Sequence, residues 1–317
     1  MATDTDTTLR SRNERWLVWG VLGYAVLVVV LMYAGGVNIT PDVLLVAFLL
    51  VAVLLGRTRL FLRDWLPFIA IFLAYELMRG IADDAGFPVH ISDVIAAERF
   101  IAFGHLPTQL LQDWLAPPTG VGPAAVFATV LYMLHFVLPI GTGLLLWVWR
   151  RPQYYDFVAA FILLSFAGFV TYLLLPVAPP WWAASLGYLN GPDGAPVIHY
   201  LKPDAFDVIA HALGYPDGHM LSSYVFYNVN PNGMTAFPSL HAGYPFLSFL
   251  VLRRAFGRVG WLALGYAALV WWAIVFTGDH YVIDVLGGIA YATAAYFAIR
   301  MLVPAMTSRR AESGSSG

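Results

Sequence analysis

The sequence predicts an all-α polytopic membrane bundle of about eight transmembrane helices, with both termini on the cytoplasmic side. Of the 317 residues, 60% are hydrophobic and only 11% are charged, and the mean hydropathy is +0.71. Soluble domains carry about 25% charged residues, so this chain lacks the polar surface of a soluble protein. The apolar residues also form long continuous runs without the alternation of a β-barrel strand, which favours helices.

Eight apolar runs define the predicted spans. In chain order they cover residues 16–33, 43–55, 65–78, 124–149, 155–177, 236–252, 259–276 and 281–303. A helix needs about 20 residues to cross the hydrocarbon core, so the short second and third runs are the weakest members of the series. Two long polar segments, 79–122 and 178–235, interrupt the spans. The first of these segments indicates one or two amphipathic helices at the membrane interface.

The positive charges divide unequally between the two sides of this arrangement. With a cytoplasmic amino terminus, all of the 17 Lys and Arg residues except Arg79, Arg99 and Lys202 fall on the cytoplasmic side. Cytoplasmic loops of membrane proteins carry such an excess, whereas seven or nine spans would put a basic cluster outside. The count therefore supports eight spans and places both polar segments on the extracytoplasmic or lumenal face.

This topology divides the chain into three parts. Residues 1–64 hold a polar tail and two accessory spans, residues 65–305 hold the other six spans with the outer segments, and residues 306–317 form a tail. The chain has no cysteine, which excludes disulfides, a thiol nucleophile and thiolate metal sites. The first fifteen residues lack the layout of a cleaved signal peptide.

Three reactive side chains fall at the outer ends of the last three spans. His241 begins the sixth span, His280 ends the seventh, and Asp284 begins the eighth. Residues four apart lie on one face of a helix, so Asp284 can accept the Nδ1 proton of His280. That arrangement leaves Nε2 as a nucleophilic lone pair and stabilises the cation formed on attack. A second imidazole, His241, is suited to protonate a leaving alkoxide.

The start of the sixth span has the features of an anion site. Pro238 is favoured in the first turn of a helix, the free amides of a helix amino terminus attract anions, and Ser239 adds a hydroxyl donor. Two other interpretations stay open. The pair of His280 and Asp284 is also compatible with a structural cap, and His241 together with that pair has the residue types of a zinc site.

Both histidine motifs resemble those of a known superfamily. Residues 238–241, Pro-Ser-Leu-His, are similar to the Pro-Ser-Gly-His motif of the type 2 phosphatidic acid phosphatase superfamily, and residues 280–284 resemble its His-x-x-x-Asp motif. The His-Tyr-x-x-Asp form is closer to the phosphotransferase branch. Three further stretches, residues 75–80, 132–135 and 176–182, resemble the inositol phosphorylceramide synthases. The resemblance covers residues 65–300.

The resemblance implies a six-helix catalytic core, formed by the third to eighth spans, and a lipid phosphotransferase activity. It implies that His280 forms a phosphohistidine, that Asp284 orients it, and that His241 protonates the leaving group and then serves as base for the acceptor. The implied partners are a membrane phospholipid donor, with phosphoinositol as one candidate headgroup, and a lipid alcohol or ceramide-like acceptor. No metal or other cofactor is implied, and no nucleic acid is expected.

The chain departs from the hydrolase branch of that superfamily at its cationic positions. Ala273 and Ile274 stand where hydrolases have Ser-Arg, and the lysine motif of that branch is absent. A phosphate needs positive charge in a dry site, and the outer face offers only Arg79, Arg99 and Lys202. Arg79 and Arg99 are the predicted phosphate ligands, with ion pairing to neighbouring acids as the alternative.

Three further residues are candidates for substrate binding. Asp279 and Tyr281 flank His280, and His135 lies in the fourth span just before Pro139. An intramembrane histidine such as His135 is also compatible with a hydrogen bond inside the bundle.

Two other functions compete with lipid phosphotransfer. A lipid phosphatase or pyrophosphatase would use the same residues with water as the acceptor, and the missing arginine disfavours it. A proton-coupled transporter predicts polar residues along several spans, and the spans show few beyond Glu76 and His135. The sequence contains no internal repeat that would favour a transporter.

Overall fold

The computed structural model describes residues 56–79, 86–117, 120–212 and 235–314, without the side chains of residues 70, 72–79 and 303–314. The described residues form helices joined by loops that contain isolated β-bridges and no strand. The first two predicted spans, 16–33 and 43–55, lie outside the described residues. The predicted domain boundaries stay predictions.

Within the described residues, helices occupy the third to eighth predicted spans, and shorter helices occupy the two outer segments. In chain order they are α1 Thr58–Arg79, α2 Ser92–Ile101, α3 Pro107–Leu115, α4 Pro123–Met133, α5 Val137–Trp149, α6 Arg151–Leu174, α7 Pro180–Ser185, α8 Lys202–Ala212, α9 Leu240–Phe256, α10 Gly260–Phe276 and α11 Val282–Gly314. A 3₁₀ turn, Gly257–Val259, joins α9 to α10. In the first outer segment, where one or two helices were predicted, the structure has α2 and α3.

Four helical segments of the described chain are long and apolar enough to cross a membrane. They are Pro123–Trp149, Arg151–Leu174, Leu240–Phe276 and Val282–Leu302. The third segment turns back at Gly257, where φ is 65°, and it contains two helices of 17 residues each. The chain is therefore an integral membrane protein, as predicted, and the total of eight spans stays a prediction.

The fourth predicted span is broken at residues 134–136. Pro139 has no amide proton, and its ring clashes with the carbonyl of the residue four positions earlier, His135. At the break, the carbonyl of Leu134 accepts hydrogen bonds from the amide of Val137 at 2.9 Å and from the hydroxyl of Tyr266 at 2.6 Å. The break between α4 and α5 leaves His135 buried inside the bundle.

The amino terminus of α9 lies directly against α11 because two glycines permit a close approach. A Cβ added at Gly288 would overlap the carbonyl oxygen of Ser239, and one added at Gly243 would lie 3.1 Å from the carbonyl oxygen of Gly288. The amide of Ser239 also donates to the carbonyl of Asp284 at 3.0 Å. Small residues allow this kind of close packing between membrane helices. The contact fixes the start of α9 against the start of α11.

The two outer segments meet at this same end of the bundle. Val177 forms parallel bridges with His90 and with Thr235, which precedes α9. Gln112 of α3 donates to the carbonyl of His199 at 2.8 Å and to the last carbonyl of α10 at 2.9 Å. These contacts tie α2, α3 and the loop before α8 to the helix ends.

Basic residues gather at the opposite end of the bundle. Asp64 near the start of α1 is buried and accepts a hydrogen bond from Arg151 at 2.8 Å. Arg254 and Arg300 line a small cavity between α6, α9 and α11. Since a helix rises 1.5 Å per residue, Arg254 lies about 20 Å along α9 from His241.

Candidate active site

Two histidines and a carboxylate meet where α9, α10 and α11 come together. His241 lies in the first turn of α9, His280 lies in the loop before α11, and Asp284 lies in the first turn of α11. The Nδ1 atom of His241 lies 3.1 Å from Nε2 of His280, whose Nδ1 lies 3.5 Å from Oδ2 of Asp284. His280 is 5% exposed and Asp284 is fully buried. The three predicted residues are thus brought together in one row, which we call the His–His–Asp row.

The described residues contain no group of three or more histidine and carboxylate side chains arranged to hold a metal ion. His241 contacts His280 through ring nitrogens, and only His280 faces Asp284. The three side chains therefore lie in series, and they do not surround a common point.

A left-handed turn fixes the backbone of His280. Gly278 has a φ of 84°, a conformation that glycine adopts at low cost at the end of a helix. A Cβ there would lie 3.1 Å from the carbonyl oxygen of His199. The amides of Asp279 and His280 both donate to the carbonyl of Ile274, at 3.0 and 3.1 Å. The turn that ends α10 therefore also fixes the position of the His280 backbone.

Glu98 of α2 caps the helix that carries Asp284. Its carboxylate accepts hydrogen bonds from the amides of Val282 and Ile283 at 2.9 and 3.0 Å, and its side chain is fully buried. The amide of Tyr281 donates to Asp284 at 2.8 Å. Carboxylates at a helix amino terminus are stabilised by these amides and by the helix dipole. The start of α11 is therefore occupied by the protein's own carboxylates.

Glu98 lies in an environment that favours its neutral form. Burial raises the pKa of Glu98, the hydrogen bonds from Val282 and Ile283 lower it, the charge of Asp284 raises it again, and the net shift is upward. Sequence reasoning missed this residue. It is one acid among several in the first outer segment, and no local spacing relates it to an amide 184 residues further along the chain.

Ser239 is the N-cap residue of α9. Its hydroxyl oxygen accepts a hydrogen bond from the amide of Ala242 at 3.3 Å, and the side chain is fully buried. The peptide bond between Phe237 and Pro238 is cis, and Tyr172 donates to the carbonyl of Pro238 at 2.7 Å. The helix begins at Leu240, so Pro238 precedes the N-cap residue and does not lie in the first turn as predicted. The role of Ser239 in anion binding stays a prediction.

His135 and Tyr132 pack against His241. Their ring centroids lie 4.5 and 4.8 Å from the ring centroid of His241. The Nδ1 atom of His135 contacts the carbonyl oxygen of Tyr132, and because a carbonyl can only accept, that nitrogen carries the proton. His135 therefore supports the ring of His241 from the turn between α4 and α5.

A buried ion pair lies beside the His–His–Asp row. The Nζ atom of Lys202 lies 2.6 Å from Oδ1 of Asp279, and Thr277 donates to Oδ2 of Asp279. The same ammonium lies 3.4 Å from the ring centre of Tyr132, a cation–π contact. Lys202 is 1% exposed. Asp279 is thus the chain neighbour of His280, and Lys202 contacts the Tyr132 ring that packs on His241.

Lys202 stays protonated at neutral pH. Burial lowers the pKa of Lys202, but the nearby Asp279, Tyr132 and Tyr200 raise it, and the net shift is upward. In the sequence, Lys202 is one of three outer cations and precedes a Pro-Asp pair at a helix start. That pattern is typical of an exposed residue, so its burial could not be predicted from local sequence.

The structure describes the side chain of only one of the two predicted phosphate cations. Arg99 is exposed on α2, while its neighbour Glu98 points into the protein. Arg79 is the last residue of α1, and its side chain lies outside the described residues. Tyr281 is buried in an apolar cluster that includes Ile95 of α2. Phosphate or substrate binding by Arg79, Arg99 and Tyr281 stays a prediction.

The fold and the site define a helical membrane protein with a buried row of two histidines and an aspartate at one end of its bundle. A family model described as PAP2 superfamily matches residues 92–298, which include every residue of the row. The chain belongs to the PAP2 superfamily, and the predicted resemblance is confirmed at this level.

Within this superfamily, the chain is similar to several sphingolipid synthases. The chain is 26% identical over 244 residues to the phosphoinositol dihydroceramide synthase of Bacteroides thetaiotaomicron, covering 72% of each chain. It is 26% identical over 294 residues to the inositol phosphorylceramide synthase of Candida albicans, covering 90% of this chain and 59% of that one.

A third relative is the inositol phosphorylceramide synthase catalytic subunit of Saccharomyces cerevisiae. It is 26% identical over 251 residues, covering 78% of this chain and 58% of that one. The chain thus spans less than two thirds of the length of these two fungal relatives. No solved structure gives a significant match.

Proposed function

We propose that this chain is a membrane lipid phosphotransferase that moves a phosphorylated headgroup from a phospholipid to a lipid alcohol. The observation that carries the proposal is the buried His–His–Asp row in a member of the PAP2 superfamily. The names of the relatives support phosphoinositol as the headgroup and a ceramide-like lipid as the acceptor.

His280 is the nucleophile in this proposal. Its Nδ1 atom faces Asp284 at 3.5 Å, which is longer than an ordinary hydrogen bond. Oδ1 of Asp284 is a buried oxygen without a hydrogen-bond partner. Asp284 therefore has the capacity to accept the Nδ1 proton, to leave Nε2 as a lone pair, and to stabilise the imidazolium that attack creates. Catalytic hydrogen bonds of this kind often shorten when the substrate binds.

His241 is the acid and later the base. In the first step, Nε2 of His280 forms a bond to phosphorus, the bond from phosphorus to the diacylglycerol oxygen breaks, and that oxygen takes a proton from His241. In the second step, the acceptor hydroxyl gives its proton to His241, its oxygen bonds to phosphorus, and the bond to His280 breaks. The headgroup phosphate is transferred without consuming water.

The site faces the extracytoplasmic or lumenal side in this proposal, and the chain crosses the membrane eight times with both termini in the cytoplasm. Two observations support this orientation. Arg254 and Arg300 lie at the end of the bundle opposite to His241, and positive residues favour the cytoplasmic side. The two long outer segments meet at the histidine end.

The test is a transfer assay with the purified protein in detergent micelles. Phosphatidylinositol labelled in the headgroup is supplied with and without ceramide. Transfer predicts a labelled inositol phospholipid product only when ceramide is present. Release of labelled inositol phosphate without ceramide selects the hydrolase alternative, and full turnover by His280→Ala contradicts the proposed nucleophile.

A further inference from the structure

We propose that Lys202 provides the positive charge that binds the phosphate of the donor lipid, and that Asp279 holds its ammonium beside the His–His–Asp row. The inference rests on the phosphotransferase function proposed above. It gives the role of phosphate cation to a residue outside the pair Arg79 and Arg99 that the sequence favours.

The burial of this ion pair requires an explanation. Lys202 is 1% exposed and Asp279 is 7% exposed. Moving two charges out of water costs free energy that their attraction does not always recover, and apolar residues of similar size often replace a buried pair without loss of stability. Buried charges beside a cleft or site are therefore candidates for function.

The contacts hold Asp279 in place and leave the ammonium adaptable. Oδ1 of Asp279 contacts Lys202 at 2.6 Å, Thr277 donates to Oδ2, and the backbone amide of Asp279 donates to Ile274 at 3.0 Å. A lysine ammonium has three protons. Its described partners are one carboxylate oxygen of Asp279, the face of Tyr132 at 3.4 Å, and Tyr200, whose ring centre lies 5.4 Å away. Such a group can keep its bond to Asp279 and also donate to a phosphate oxygen.

The charges around the row favour this assignment. Asp284 and Asp279 are carboxylates within or next to the row, and each is at most 7% exposed. A phosphate group adds further negative charge to a region from which water is largely excluded. Without a nearby cation, the repulsion would oppose both substrate binding and the charge that develops on phosphorus during transfer. The buried, protonated Lys202 offsets it.

The test measures anion binding apart from lipid turnover. Purified protein is titrated with orthovanadate, which mimics a phosphoryl group under attack and binds more tightly than a ground-state phosphate. Loss of one charge-assisted hydrogen bond in Lys202→Met is expected to weaken binding by about 10- to 100-fold. Asp279→Asn keeps the ammonium, so its affinity for orthovanadate is expected to equal or exceed that of the wild type.

A double variant separates anion binding from a structural role. Lys202→Met combined with Asp279→Asn leaves no unpaired buried charge, so a purely structural pair predicts that orthovanadate affinity and turnover recover. The proposal predicts that the double variant binds orthovanadate as weakly as Lys202→Met alone. Three results would each overturn the inference. They are recovery of orthovanadate affinity in the double variant, unchanged orthovanadate affinity in Lys202→Met, and no orthovanadate binding by the wild type.

The same preparations distinguish this inference from the proposed function. If the wild type binds orthovanadate through Lys202 but transfers no headgroup to any lipid alcohol, the proposed function fails and the anion site stands. If the wild type transfers the headgroup while Lys202→Met keeps both its orthovanadate affinity and its KM for the phospholipid, the assignment of Lys202 fails alone.

Discussion

Nδ1 of His241 and Nε2 of His280 lie within hydrogen-bond distance, at 3.1 Å. When the proton of His280 is on Nδ1, as the proposed mechanism requires, the lone pair of the proposed nucleophile is engaged by the proposed acid in the resting protein. A reacting phosphorus approaches its nucleophile to about 3–3.5 Å, and the acid must lie about 2.6–3.2 Å from the leaving oxygen. The two nitrogens cannot stay in contact with a phosphate between them, so substrate binding must separate the rings.

Removal of His241 is expected to expose His280 while it abolishes most of the transfer. In His241→Ala, the ring that covers Nε2 of His280 is absent, so His280 should react faster with diethyl pyrocarbonate, as measured by peptide mass spectrometry. Loss of general acid catalysis should lower headgroup transfer by about 10²- to 10⁴-fold. Wild-type transfer by His241→Ala would rule out its role as the acid.

Replacement of Asp284 by asparagine is expected to separate orientation from folding. The asparagine oxygen can still accept from the amide of Tyr281, which donates to Asp284 at 2.8 Å. The charge that stabilises the imidazolium of His280 is lost, so kcat should fall by about 10²- to 10⁴-fold. A melting temperature near that of the wild type serves as the control. A large loss of stability with normal kcat per folded molecule would instead identify a structural cap.

The pH dependence of stability is expected to change in Glu98→Gln. Burial raises the pKa of Glu98 in the folded protein, so its stabilising contribution is greatest below the unfolded value and falls as pH rises through the raised pKa. The variant has no group to titrate at this position. The wild type should therefore lose unfolding free energy relative to Glu98→Gln as pH rises from 4 towards neutral.

Equilibrium denaturation in detergent at several pH values measures this difference. The prediction fails if the difference in unfolding free energy is constant across the pH range. It also fails if the wild type gains stability relative to the variant as pH rises.

The contact between α9 and α11 is expected to be intolerant of a methyl group. A Cβ in Gly288→Ala would overlap the carbonyl oxygen of Ser239, so the helices must move apart, at a cost of about 1–3 kcal/mol. Since this contact fixes His241 against His280, headgroup transfer should fall as well. Gly265→Ala in α10 is the matched control, because nothing lies within 4 Å of its added Cβ. If the two substitutions had equal effects, close packing of α9 on α11 would not explain the loss of stability and transfer.

The sequence predicted the parts of the fold that depend on local pattern. Apolar runs marked the helices, because the bilayer requires continuous apolar surface along a span. The spacing of His280 and Asp284, together with the sidedness of the charges, predicted that His241 would join them, and the geometry brings the three together. The prediction of a membrane enzyme of the PAP2 superfamily is supported by the family match and the relatives.

The remaining parts depend on contacts between residues distant in sequence. Glu98 caps α11 across 184 positions. Lys202 contacts Tyr132 of α4 and Asp279 of the loop before α11, which are distant from it in sequence. Neither relationship has a periodic or local signal. The sequence therefore favoured Arg99, which is exposed, over Lys202.

A covalent intermediate on His280 would be direct evidence that this residue is the nucleophile. The purified protein is mixed with phosphatidylinositol in the absence of acceptor, quenched at alkaline pH, digested and analysed by mass spectrometry. We expect a phosphoinositol adduct on His280 that disappears when ceramide is added and is absent from His280→Gln. An adduct on another residue, or full headgroup transfer by His280→Gln, would contradict it.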